Sequence, residues 1–159
     1  PYYITSPVLT ALLEARCFSS VTVMVQKEVA QRMAAAPGSR DYSAFTVFCN
    51  YYAQPELLFD VPPSCFLPQP KVTSSVIRLN VRQAPPYPVA DEELFFRVVR
   101  ASFAQRRKQL QNGLAAGFPA LGKEIIGDIL RNCGLSPTVR GETLDIPTFA
   151  RIAAAIGRA

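Results

Sequence analysis

The segment Ala84-Pro85-Pro86-Tyr87-Pro88 constrains the fold of this chain more than any other. Each proline fixes φ and removes a backbone donor, so neither a helix interior nor a central strand can run through it. It reads as a stiff linker over residues 83–90 and as the best domain boundary. The pattern changes across it. Before it come short β-branched and aromatic runs among helical stretches. After it come only segments of helical period. The sequence therefore predicts an α/β portion over 1–82 and an all-helical portion over 91–159.

Within the first portion, Ser6 is the expected N-cap and Pro7 the first residue of a helix reaching about Ala15. Val21-Thr22-Val23-Met24-Val25 is apolar on both faces and suits a buried parallel strand. Lys27 to Ala35 reads as a second helix. Phe45 to Tyr52, Glu56 to Val61 and Val72 to Val81 read as strands. The four prolines of Pro62-Pro63-Ser64-Cys65-Phe66-Leu67-Pro68-Gln69-Pro70 make a stiff loop without regular structure. Beyond the linker, Asp91 to Leu114 is expected as one long amphipathic helix. Lys123 to Cys133 follows, stopped by Gly134. The last helix spans about Pro147 to Ile156, with Asp145 capping its start.

Composition excludes several chemistries. The chain has no His, which removes Ser-His-Asp and Cys-His catalysis and every His-ligated metal site. Cys17, Cys49, Cys65 and Cys133 lack the close spacing of a zinc or redox motif and read as reduced thiols of a cytoplasmic protein. No metal is expected. The apolar runs Val21 to Val25 and Ile152 to Ile156 are too short to span a membrane, and no signal peptide is visible. Lys and Arg outnumber Asp and Glu by 17 to 12. That balance suits an anionic partner, nucleic acid first.

Three segments could carry chemistry. In Pro1-Tyr2-Tyr3-Ile4-Thr5-Ser6-Pro7, Pro1 offers a carbonyl to an exocyclic base amine and Tyr2 a face for an extruded base. Tyr3 is expected as a further RNA contact. The alternative is a turn with packed tyrosines. In Phe66-Leu67-Pro68-Gln69-Pro70-Lys71-Val72-Thr73-Ser74, Phe66 could form a second wall of a base pocket, with Lys71 near phosphate. A connector whose Phe plugs the core fits equally. On the wheel of the expected long helix, Phe95, Val98, Val99, Phe103 and Leu110 share one face. Arg97, Arg100, Arg107 and Lys108 lie opposite, as a stripe that can follow a phosphate backbone. A solvated face is the alternative. Arg106 falls on the apolar face, where a charge requires a partner, and Glu142 is the expected one.

Together, Pro1-Tyr2-Tyr3-Ile4-Thr5-Ser6-Pro7, Phe66-x-Pro68-x-Pro70-Lys71-Val72-x-Ser74, Phe103-Ala104-Gln105-Arg106-Arg107-Lys108 and Arg140-x-Glu142-x-Leu144 resemble the bacterial small-subunit (16S) rRNA adenine dimethyltransferases, the kasugamycin-resistance or KsgA family. The resemblance implies the C-terminal half of a Rossmann-type methyltransferase domain, then a small helical RNA-binding domain. It implies S-adenosylmethionine as methyl donor and two adjacent adenines near the end of 16S rRNA as substrate. It implies a role in small-subunit maturation and a monomer when intact. The family's Asn-Leu-Pro-Tyr motif keeps only Pro1 and Tyr2 here. Tyr2 and Phe66 are then the walls around the flipped adenine, and the Pro1 carbonyl holds its amine.

The family's glycine-rich cofactor loop and ribose-binding acid have no counterpart in this sequence. Apart from Pro1, no cofactor-binding residue is expected here. The chain starts at Pro1 without an initiator Met, so these parts are expected upstream and the chain alone is expected to be inactive. Its remaining sheet is expected to leave an edge and faces open. Two alternatives stay open. One is the large-subunit rRNA methyltransferase of macrolide resistance. The other is a non-catalytic RNA-binding or ribosome-assembly factor on the same scaffold.

Overall fold

The computed structural model describes residues 2–136 and 138–159, with the backbone alone for Tyr2. Pro1 and Pro137 lie outside the described residues. The first elements are a 3₁₀ turn at Tyr2–Ile4, α1 (Thr5–Glu14), β1 (Ser20–Gln26), α2 (Lys27–Met33), α3 (Ala44–Tyr52) and β2 (Ala53–Val61). After a short turn at Pro63–Cys65 come β3 (Ser74–Val81), α4 (Glu92–Ala104), α5 (Leu110–Gly117), α6 (Gly122–Asn132), a turn at Gly141–Thr143 and α7 (Ile146–Ile156).

Four sequence expectations are corrected. The first helix starts at Thr5, with Ile4 at the N-cap position and no side-chain cap. Ser6 and Pro7 fall inside its first turn, where proline's missing N–H costs nothing. The run 45–52 is helical. Ser43 accepts from the Thr46 N–H while the Thr46 hydroxyl accepts from the Ser43 N–H, a reciprocal box that starts α3. This local cap and burial of Val47, Cys49, Tyr51 and Tyr52 override the strand preference of aromatic residues. The long helix expected over 91–114 is two helices, because α4 ends at Ala104 and α5 starts at Leu110. Finally, β1 pairs antiparallel with β3. Its burial alternates, with Val21 and Val25 inside and Met24 46% exposed. Its apolar run indicated a strand but not its direction.

The described strands form one sheet in the order β1-β3-β2, antiparallel throughout. Val23 and Leu57 both pair with Ile77 at its centre. β2 lies at one edge, carries Pro55, and shifts register between Leu57 and Phe59. Edge strands tolerate both features. Met24 and Phe59 flank Val76 in one row on the open face. On the other face Ile77 and Leu79 are fully buried.

In the helical part, Phe95, Val98, Leu110, Leu114, Ile126, Phe149 and Ile152 are at most 1% exposed. α5 folds back closely onto α4. A Cβ on Gly113 would sit 2.5 Å from the Ala101 carbonyl oxygen, so only glycine permits this crossing. Gly134, at φ +74°, ends α6 as expected. Asp145 caps α7 as expected, accepting from the Thr148 N–H at 3.0 Å. That contact holds its carboxyl below the usual range. The two parts meet through aromatic rings: Tyr51 stacks on Phe95 at 5.1 Å and Tyr52 on Phe96 at 5.8 Å.

Candidate nucleic-acid interface

The proline loop between β2 and β3 is anchored at both ends. Its first turn closes with the Cys65 and Phe66 N–H groups donating to the Pro62 and Pro63 carbonyls. At its far end the Lys27 N–H donates to the Thr73 carbonyl at 3.0 Å. Below it, Asp60 accepts from Lys27 Nζ and from the Ser75 hydroxyl, each at 2.6 Å. These bonds hold the Asp60 carboxyl below its usual range. Sequence reasoning missed this brace, whose members lie on three different elements. On the loop so held, Phe66 is half-buried, Leu67 is fully exposed and Lys71 is exposed. Tyr3 is 85% exposed. Pro1 and the Tyr2 side chain lie outside the described residues.

The basic residues expected as one stripe are divided. Arg97 and Arg100 stand on α4, but Arg107 and Lys108 belong to the turn over 105–109. Arg97 is exposed, with its side chain lying along the surface. It donates to the Gly117 carbonyl at 2.9 Å, and its guanidinium lies 4.4 Å over the Phe118 ring. Arg100, Arg107 and Lys108 are exposed.

Arg106 does meet Glu142, Nε to Oε2 at 2.8 Å, and also donates to the Arg40 carbonyl. Its side chain is 43% exposed, which corrects the expectation of a buried charge. The helix has ended before Arg106, so it never enters the apolar face. Its contacts instead tie the loop before α3 to the turn before α7. Beside them lies a cleft of about 750 Å³ lined by Arg32, Arg40, Arg106, Phe45 and Phe103 together with Glu28 and Asp41, of which Glu28 pairs with Arg32 at 2.8 Å. Its cations come from three segments, so no single run in the sequence announces it.

Gly38, Gly122 and Gly134 adopt positive φ singly, in a turn and at helix ends. Gly113, Gly117, Gly127, Gly141 and Gly157 pack against neighbouring groups. No helix among the described residues is long and apolar enough to cross a membrane.

The family model described as ribosomal RNA adenine dimethylase matches residues 1–146. A ribosomal RNA small subunit methyltransferase A from Caldanaerobacter subterraneus subsp. tengcongensis is 50% identical over 157 residues, 98% of this chain and 58% of that protein. The protein of the same name from Listeria monocytogenes is 47% identical, over 99% of this chain and 54% of its own length. The chain thus spans about half the length of the curated relatives it matches.

A crystal structure of a dimethyladenosine transferase from Plasmodium falciparum superposes with a TM-score of 0.86 at 24% identity, covering 99% of this chain and 64% of that one. The 23S rRNA methyltransferase ErmE gives 0.67 at 23% identity, over 99% and 62%. Both likenesses concern the fold, which is that of the C-terminal part of a Rossmann-type methyltransferase. With a family model spanning residues 1–146 and relatives about half identical along nearly its whole length, the chain belongs to the ribosomal RNA adenine dimethylase family.

Proposed function

We propose that the protein carrying this chain dimethylates two adjacent adenines near the end of 16S rRNA during small-subunit maturation. The observation that carries the reading is the 50% identity to a small-subunit methyltransferase over 98% of the chain. In this reading S-adenosylmethionine supplies the methyl group. In this reading the share of residues 1–159 is chiefly the RNA. Residues 1–82 contribute the base-binding side, 83–90 link, and 91–159 dock on rRNA.

Tyr2 and Phe66 stack on the extruded adenine, and the Pro1 carbonyl accepts from its amine, which orients the nitrogen lone pair. A braced proline loop suits this work, because a wall that does not move costs little ordering on binding. Tyr3 and Lys71 contact the flanking RNA. Arg100, Arg107 and Lys108 meet phosphates. Arg97, held by Gly117 and Phe118, contributes through its field more than by contact.

The test is labelled methyl transfer by the full-length protein to small subunits lacking the two dimethyladenines, with large subunits alongside. Label recovered as dimethyladenine in small-subunit rRNA is expected. Label in large-subunit rRNA indicates the macrolide-resistance activity instead. Tight, salt-sensitive particle binding without label indicates an assembly factor. Tyr2→Ala or Phe66→Ala should each remove about 1–3 kcal/mol of stacking. Both variants at the unchanged rate would refute the pocket.

A further inference from the structure

Three side chains of the α/β part converge on one carboxylate of the helical part. Glu92, in the first turn of α4, accepts from Arg16 Nη2 at 2.8 Å and from the Tyr51 hydroxyl at 3.3 Å. Its other oxygen accepts from the Tyr52 hydroxyl. The Arg16 guanidinium also lies 5.0 Å over the Tyr52 ring. Burial and the Glu92 charge push the Tyr51 hydroxyl up to about 12 and raise that of Tyr52 as well. Both therefore remain donors throughout the neutral range.

Arg16 reaches Glu92 from an unfavourable backbone. Its φ is +51°, the left-handed region that glycine occupies readily and arginine does not. A glycine here would relax the α1–β1 turn. The arginine's fork, its cation–π contact and its ion pair are what a glycine could not supply. Retained strain of this kind points toward a use for the side chain.

The place of the contact suggests that use. α1 follows directly on the Tyr2–Ile4 turn, so that turn precedes one end of α1 and Arg16 follows just beyond the other. Ten helical residues span roughly 15 Å. Pinning the far end to α4 fixes the direction of α1 relative to the helical part.

We propose that Arg16 and Glu92 are positioning residues for methyl transfer, holding the base-binding motif in a fixed relation to the helical part that docks the rRNA. The inference rests on the reading given under Proposed function. RNA gripped through Arg107 and Lys108 presents its adenine in register only while the two parts keep one angle. A displacement near 1 Å at a reacting centre can cost up to about 100-fold in rate.

Arg16→Gly and Glu92→Gln in the full-length protein test it. The glycine removes the contact while easing the backbone. The glutamine keeps a carbonyl acceptor and size but loses the charge. Three quantities are measured: melting temperature, affinity for small subunits lacking dimethyladenine, and single-turnover methylation of the bound particle. For Arg16→Gly the expected result is an unchanged melting temperature and unchanged affinity, with a methylation rate lower by about tenfold. Glu92→Gln should fall between that variant and the unchanged protein, and Arg16→Lys should restore part of the rate.

Variants that methylate at the unchanged rate overturn the inference alone. So do losses of rate that track losses of melting temperature or affinity, since they mark a purely structural contact. Absence of transfer by the unchanged protein overturns the functional reading, and this inference with it.

Discussion

The sheet part and the helical part hide their apolar surface to different degrees. In the helical part Phe95, Phe149, Leu110, Leu114, Ile126 and Ile152 close over one another, and each is at most 1% exposed. In the sheet part Met24 and Phe59 are 46% and 60% exposed in one row, on the face opposite the buried Ile77 and Leu79. Burial of a large apolar side chain contributes about 1.5–3 kcal/mol. The helices therefore draw most of their stability from side chains, whereas the open row of the sheet leaves that gain unrealised. The difference matches the division of work proposed for them. A well-packed helical part suits docking on a large particle, the work proposed for it.

The sharpest way to break this comparison is a pair of truncations. Phe149→Ala should cost about 3–5 kcal/mol by urea unfolding of the full-length protein. Phe59→Ala should stay within about 0.5 kcal/mol. Equal losses would show that the sheet's exposed row is packed in solution.

Next in size is the α4–α5 crossing. Gly113→Ala forces a methyl against the Ala101 carbonyl, and about 1–3 kcal/mol of destabilisation is expected. A neutral result would mean that the helices can part at little cost.

Acid comes third. The carboxyls of Asp60 in the sheet part and Asp145 in the helical part both sit below their ordinary value. A carboxylate depressed in the folded state contributes stability fully above its unfolded pKa, near 4. That contribution is lost as pH falls through the folded value. Thermal melts from pH 7 to pH 2 should therefore show both parts weakening below about pH 4. Asp60→Asn should flatten this decline more than Asp145→Asn, because Asp60 meets a lysine as well as a hydroxyl.

The smallest effect is expected at Arg106. Its ion pair with Glu142 is 43% exposed on the arginine side. Arg106→Met should cost no more than about 1 kcal/mol, and high salt should shrink the difference further. A larger loss would show that its bond to the Arg40 carbonyl carries the junction.

What the sequence disclosed follows from the distance over which each signal acts. Gly134 and Asp145 were legible because a helix end is decided within four residues. The pairing of Arg106 with Glu142 was named correctly, but from a buried setting that the structure does not give Arg106. Its exposure was not legible, since that depended on α4 stopping at Ala104. The 45–52 segment was misread because its composition favours a strand while the Ser43 and Thr46 box favours a helix. The Asp60 brace and the Glu92 junction were out of reach. Arg16 and Glu92 are 76 positions apart, and only the folded chain brings them together. Of the candidate site, the division of the basic stripe between α4 and the 105–109 turn was not readable, because it depended on where α4 stops.

The irregularity of β2 has a consequence for how this sheet can grow. Pro55 offers no N–H along that edge, and the shift between Leu57 and Phe59 breaks the spacing that an incoming strand would need. At the opposite margin β1 presents seven unbroken residues without proline or bulge. Among the described strands, addition is therefore one-sided. Whatever extends this sheet, whether another part of the same polypeptide or an errant second molecule, joins at Ser20–Gln26. The risk of runaway stacking ends there, because a sheet with one receptive margin can pair but cannot polymerise through its edges.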